Sequence, residues 1–150
     1  MSEKTALYVH RYQVAFSDTD AANIAFTGRF PNFCLDAIEG WFRDRLGTDW
    51  YRLNNDLDLG TPFVHLSVDM RSPLTPRDML LTTVALARAG GSSLEFSVSG
   101  RTETEGRLSF SGRFLCVFVA KATMRATAIP PPFRALADDE AKLAARVSEQ

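Results

Sequence analysis

An α+β architecture, with a curved antiparallel β-sheet of five to six strands wrapped around one long central α-helix, is expected from three features of the chain. A strand-like run opens the sequence and breaks off at a polar, turn-prone stretch. A single long apolar stripe of helical period follows. Beyond residue 62 the two-residue period returns and persists through several hairpin-like segments, so the helix has only a sheet to pack against.

The opening strand is read from Tyr8, His10, Tyr12, Val14 and Phe16, which share one parity and make one face rich in aromatics. Residues 17–23, SDTDAAN, end it, because Asp, Asn and Ser side chains bond nearby backbone groups in place of a ladder. Phe30, Phe33, Cys34, Ala37, Ile38, Trp41, Phe42 and Leu46 then fall on one stripe, which predicts a helix over about 28–46. Asn32, Asp36, Glu39, Arg43 and Asp44 occupy the opposite face. Pro31 fits a first helical turn, Arg43 and Arg45 suit the negative pole of the dipole, and Gly47 offers a left-handed cap.

A polar loop follows, and Gly60-Thr61-Pro62 opens a strand in which Val64, Leu66, Val68 and Met70 alternate with His65, Ser67, Asp69 and Arg71. Three longer strands are expected near 78–89, 93–104 and 107–121, joined by glycine-containing turns and paired antiparallel. Residues 123–129 are expected to add a short strand before the proline run at 130–132, and Phe133 to Val147 to form a short amphipathic helix. The chain reads as one domain over 1–150 with a frayed tail from about 138.

Composition narrows the functional classes. Apolar residues are 45% and charged residues 23%, the balance of an ordinary globular domain. A formal net charge of -1 supplies no basic field, so nucleic acid is not an expected partner, and no stretch is apolar for the roughly 20 residues a bilayer-spanning helix needs. A cytoplasmic location, with no membrane partner, is the expectation. Cys34 and Cys116 sit in apolar surroundings and read as buried free thiols. No metal-ligand spacing is present, and no Gly-x-Ser-x-Gly elbow occurs.

Residues 16–26, FSDTDAANIAF, at the junction of strand and helix resemble the 4-hydroxybenzoyl-CoA thioesterase family. The resemblance continues through the Gly60-Thr61-Pro62 opening and the strand order to about Ala128, and it implies the hotdog fold. By themselves Asp18 and Asp20 would read as turn or cap residues at a strand end. In the family the second aspartate is the catalytic carboxylate, which falls on Asp20, while the first, Asp18, stabilises the loop. The family's glycine falls on Asn23, which still tolerates a left-handed backbone, and its histidine or tyrosine falls on Thr27, where the backbone N–H is retained. Basic and small polar residues between the third and fourth strands hold coenzyme A in such proteins, which implies Arg88, Ser92 and Ser93 here, and Thr61 is expected to contact substrate.

The chemistry agrees with these residue types. Thioester hydrolysis needs a group that attacks the carbonyl or activates water, and donors that hold negative charge on the carbonyl oxygen. Asp20 supplies the first, and the open N–H groups of Thr27 and Gly28 at the helix start supply the second. Phe26, Phe30 and Phe33 around that start suggest a flat apolar pocket, although helical spacing alone accounts for Phe30 and Phe33 as core. An acyl-CoA thioester hydrolase acting on a benzoyl- or hydroxybenzoyl-type group is therefore expected, with coenzyme A as part of the substrate and no separate cofactor. Short or medium aliphatic acyl-CoA is the alternative substrate, and a non-catalytic acyl-CoA binder the alternative class. A hydratase is disfavoured by the scarcity of histidines. Because a lone sheet of this kind leaves an edge and apolar surface uncovered, a homodimer or homotetramer is expected.

Overall fold

The computed structural model describes residues 5–149. Strand β1, Tyr8–Gln13, leads through the polar loop to a 3-10 turn at Thr27–Arg29, which runs directly into helix α1, Phe30–Trp41. The helix widens into a π turn over Phe42–Leu46 and stops at Gly47, whose φ of 73° is the left-handed cap its residue type suggests. Helical backbone thus spans 27–46, close to the stretch that periodicity predicts.

Short strand β2 is Leu59–Gly60, followed by β3, Phe63–Met70; β4, Met79–Ala89; β5, Ser93–Thr102; β6, Leu108–Val117; and β7, Val119–Ala120. Five of these form one antiparallel sheet in the order β1-β4-β5-β6-β3, while β2 and β7 make a separate two-residue ladder. Cross-strand pairs such as Leu86 with Phe96 and Phe96 with Phe114 place large apolar side chains on one face. Against that face α1 lays Phe30, Phe33, Cys34, Ala37, Ile38 and Trp41, all buried. Trp41 is fully buried and its ring meets that of Phe96 edge-on at 4.9 Å. Register shifts at Leu86/Arg88, Phe63/His65 and Gly100/Arg101 bend the strands, which lets the sheet curl about the helix.

Three departures from the sequence reading concern local signals overridden by tertiary contacts. The expected polar loop contains helix α2, Trp50–Asp56, capped by Asp49 through its carboxylate and the Arg52 N–H at 2.8 Å, and anchored by buried Leu53. Residues 123–129 form no strand: Met124 has a φ of 58°, and only a bridge between Val119 and Ala126 remains. Finally, the tail expected to fray from about 138 continues as helix α3, Pro131–Ser148. It is held by buried Ala137 and Leu143 and by Glu140, whose carboxylate accepts from Arg45 at 3.2 Å. This helix packs on β4 and on the last turn of the long helix. Among the described residues no helix is long and apolar enough to cross a membrane.

Candidate active site

The loop after β1 is ordered by one buried carboxylate. Asp18 is 2% exposed, and its Oδ2 accepts from the Tyr12 hydroxyl and the Ala15 N–H, each at 2.8 Å. Its Oδ1 accepts from Arg29 Nε at 3.1 Å. Burial, and then the bond to this carboxylate, pushes the Tyr12 phenol up to about 12. Asp18 therefore ties the loop together through three hydrogen bonds, as a loop-stabilising residue would.

From that anchor the chain makes a narrow hairpin. Phe26 N–H donates to Asp18 O, Thr19 bridges Ala25, and Asp20 N–H donates to Ile24 O. The tip closes with Asn23 N–H on Asp20 O at 2.9 Å, and Asn23 takes a φ of 65°. A turn of this form requires a residue that tolerates the left-handed region, which Asn does where most side chains would strain. Asp20 stands at the corner. Its Oδ1 accepts the Ala22 N–H at 2.8 Å, the side chain is exposed, and no second partner holds its Oδ2 among the described residues. Ala25 N–H to Leu74 O, at 2.8 Å, fastens the hairpin to the segment after β3.

The helix start lies immediately beyond this hairpin. Phe26 occupies the cap position with extended backbone and accepts the Arg29 N–H at 2.8 Å, whereas the Thr27 and Gly28 N–H groups have no acceptor among the described residues. They combine two open donors with the positive end of the dipole. Phe26, 53% exposed, folds its ring over Gly28, where a Cβ would stand 2.7 Å from the ring edge. Asp20, Asn23, Phe26, Thr27 and Gly28 are all exposed and lie in the short segment that leads into α1.

A second feature is an open cleft of about 350 Å³ whose walls include Leu35, Trp50, Thr61, Phe63 and Lys121. Of the residues expected to contact substrate, Thr61 lines it, together with its neighbours Gly60 and Pro62. Leu35 lies off the predicted apolar stripe, and Trp50 and Lys121 come from segments without a motif, so nothing local marked them.

Phe30 and Phe33 pack into the core of the chain. Both are 4% exposed, and their rings pack edge-on with each other at 5.7 Å, while Phe30 meets Phe110 at 5.6 Å and Phe33 meets Tyr12 at 5.6 Å. The helical stripe buries them against the sheet.

Arg88, Ser92 and Ser93 are likewise not gathered at the aspartate loop within one chain. Gln13 pairs with Met79, so the loop sits at the start of β4 and the turn beyond Ala89 at its far end, roughly 33 Å away at the usual strand rise. That turn is engaged by the chain's own C-terminal part. Arg134 donates to the Ala89 and Gly90 carbonyls, Ile129 N–H to Gly91 O, and Phe118 N–H to Ser92 O. Gly90 N–H is spent on Ser93 O at 2.8 Å.

Other nucleophile systems find no support in the geometry. Cys34 and Cys116 are free and buried, and burial pushes each thiol up to about 12, so neither is a thiolate near neutrality. Among the described residues no group of three or more His, Cys, Asp or Glu is placed to hold a metal ion.

Comparison with known proteins gives a consistent outcome. A family model described as the thioesterase-like superfamily matches residues 14–136. A Crocosphaera subtropica protein named 1,4-dihydroxy-2-naphthoyl-CoA hydrolase is 27% identical over 121 residues, 81% of this chain and 81% of that one. A Synechocystis protein of the same name is 29% identical over 85 residues, covering 55% of this chain and 59% of the relative's length. Among solved structures, a thioesterase superfamily protein from Jannaschia sp. CCS1 superposes with a TM-score of 0.84 at 35% identity, covering 93% of this chain and 96% of that one.

Proposed function

Because the chain belongs to the thioesterase-like superfamily, with the hotdog fold, we propose that it is an acyl-CoA thioester hydrolase acting on an aromatic acyl group. The observation that carries this reading is an exposed carboxylate, Asp20, and the open N–H groups of Thr27 and Gly28 within the one short segment that leads into α1. The names of the Crocosphaera and Synechocystis relatives support an aromatic acyl group.

In this reading the thioester oxygen rests on the two N–H groups, which hold the negative charge that develops as the carbonyl carbon becomes tetrahedral. Asp20 then acts in one of two ways. It attacks that carbon, expelling the coenzyme A thiolate and forming an anhydride that water opens, or it takes a proton from a water molecule that attacks instead. Both routes consume one water and release the free acid and the thiol. The bond from Ala22 N–H fixes the carboxylate's direction and leaves Oδ2 for the reaction.

The site also gains from a second copy of the chain. β3 is a sheet edge, and it exposes Val64 at 60%, Leu66 at 47% and Met70 at 49%. An unpaired apolar edge is the surface that strand pairing between copies would cover. Antiparallel pairing about the middle of β3 brings the start of the partner's strand opposite Met70, on the side where Leu74 O fastens the Asp20 hairpin. A homodimer, alone or doubled into a tetramer, is the assembly proposed.

The test is release of free thiol from a panel of acyl-CoAs by the wild type and by Asp20→Asn. Turnover of benzoyl- and hydroxybenzoyl-CoA exceeding that of acetyl- and octanoyl-CoA is expected, with kcat falling by about two to four orders of magnitude on substitution. Absence of thiol release by the wild type, or an unchanged kcat in the variant, refutes the assignment. Oxygen-18 appearing in Asp20 after a single turnover in labelled water separates the anhydride route from water activation.

A further inference from the structure

The two open donors at the helix start stand between two ties to a single residue. On one side, Phe26 N–H donates to the Asp18 carbonyl at 2.8 Å. On the other, Arg29 Nε donates to Asp18 Oδ1 at 3.1 Å, and Nη2 of the same guanidinium lies 3.1 Å from that oxygen. Between these ties runs the three-residue 3-10 turn Thr27–Arg29, closed by Arg29 N–H on Phe26 O and by Phe30 N–H on Thr27 O. A turn this short has little stability of its own, because few backbone bonds offset the conformational freedom it gives up. Its direction depends on what fastens its two ends. Arg29 is also the partner on which Asp18 Oδ1 relies. Oδ2 receives Tyr12 and Ala15, whereas Oδ1 receives Arg29 alone among the described residues. Because Asp18 is 2% exposed, removing the guanidinium leaves a buried anion with one oxygen unpaired. Relief requires Asp18 to shift toward solvent, and the carbonyl that holds Phe26 shifts with it.

We propose that Arg29 is a positioning residue for thioester hydrolysis: clamped on Asp18, it fixes the direction in which the Thr27 and Gly28 N–H groups point. The inference rests on the hydrolase reading and gives Arg29 no contact with substrate. A turn released at its Arg29 end still carries both donors, but their distances and angles to the substrate then vary. Oxyanion donors are effective only when they stand about 2.7–3.1 Å from the place where the charge develops. Binding of the acyl-CoA before reaction draws on the whole substrate, so the loss falls on kcat and leaves KM nearly unchanged.

Thiol release from the acyl-CoA that the wild type hydrolyses fastest, measured on folded protein, tests this with Arg29→Gln, Arg29→Lys and Arg29→Ala. Arg29→Gln is expected to lower kcat by about ten- to a hundredfold with KM changed by less than about twofold. Arg29→Lys keeps the charge facing Asp18 but lacks the planar fork, so its urea midpoint should stay close to that of the wild type while kcat falls about three- to tenfold. The Arg29 side chain is 39% exposed, which leaves its place open to a small solute. Guanidinium ion, far below the concentrations that unfold the protein, should therefore restore part of the kcat lost in Arg29→Ala, and sodium ion at equal ionic strength should not. A purely structural role predicts a lower urea midpoint with kcat unchanged per folded molecule, and that result overturns the proposal. Should Arg29→Gln fail to fold, Arg29→Lys decides: a kcat equal to that of the wild type is equally fatal. Absence of thiol release by the wild type from every acyl-CoA removes the hydrolase reading and this inference with it, whereas wild-type turnover with an unaltered kcat in the variants removes the inference alone.

Discussion

Asp18 and Asp20, separated by one residue, occupy opposite environments: the first is enclosed and receives Tyr12, Ala15 and Arg29, while the second is exposed and receives only Ala22. The hairpin that begins at Asp18 is what holds the two apart. One carboxylate serves the fold, and the proposed catalytic role falls to the other.

Substituting each should separate these roles. Asp18→Asn removes the charge facing Arg29, whose side chain is 39% exposed and so regains part of its hydration, and a loss of about 2–3 kcal/mol is expected. Asp20→Asn breaks only an exposed turn contact and should change stability by less than about 0.5 kcal/mol while abolishing most turnover. Urea unfolding of both variants, alongside thiol release, provides the comparison.

Tyr12 links this loop to alkaline stability. The unfolded chain releases the phenolic proton near pH 10, whereas the folded chain holds it to about 12, so the stabilisation present below pH 10 is lost as pH rises between these values. Tyr12→Phe should cost about 1–2 kcal/mol near neutrality and flatten the alkaline decline. Urea midpoints across the alkaline range, wild type against variant, measure this. An equal decline in both proteins contradicts it.

Gly112 makes room for the edge strand. A Cβ there would stand 2.6 Å from Ser67 O, a backbone atom of β3 that cannot swing aside. Gly112→Ala should therefore destabilise by about 1–3 kcal/mol, exceeding the roughly 0.4–1 kcal/mol gained from a stiffer unfolded chain. Thermal unfolding of the variant reads the sign directly.

Leu66→Lys places a charge in the middle of the exposed apolar edge. If β3 pairs with a second copy, sedimentation velocity should show the assembly reduced to monomers, because an unpaired ammonium buried between strands is costly. An unchanged sedimentation coefficient relative to the wild type would remove the proposed pairing.

Much of the fold was legible because it rests on short-range periodicity. The stripe from Phe30 to Leu46 faces the sheet as its spacing requires, and Asn23 and Gly47 adopt the left-handed conformations suited to their residue types. The terminal helix was under-read because its anchors, Arg45 on Glu140 and Phe118 on Phe133, join segments distant in sequence. Helix α2 escapes the pattern for a related reason: Trp50 and Leu53 supply a single i, i+3 apolar pair, too few to set a period.

The order of residues established which groups exist and where local backbone turns: a carboxylate at Asp20, a hairpin tip at Asn23 and open N–H groups where the long helix begins. Folding alone determined their surroundings. Chain closure enclosed Phe30 and Phe33, sent the Arg88–Ser93 turn to the far end of the sheet, and assembled a cleft from Leu35, Trp50, Thr61 and Lys121. Periodicity reports which side of an element is apolar, but long-range packing selects what that side meets.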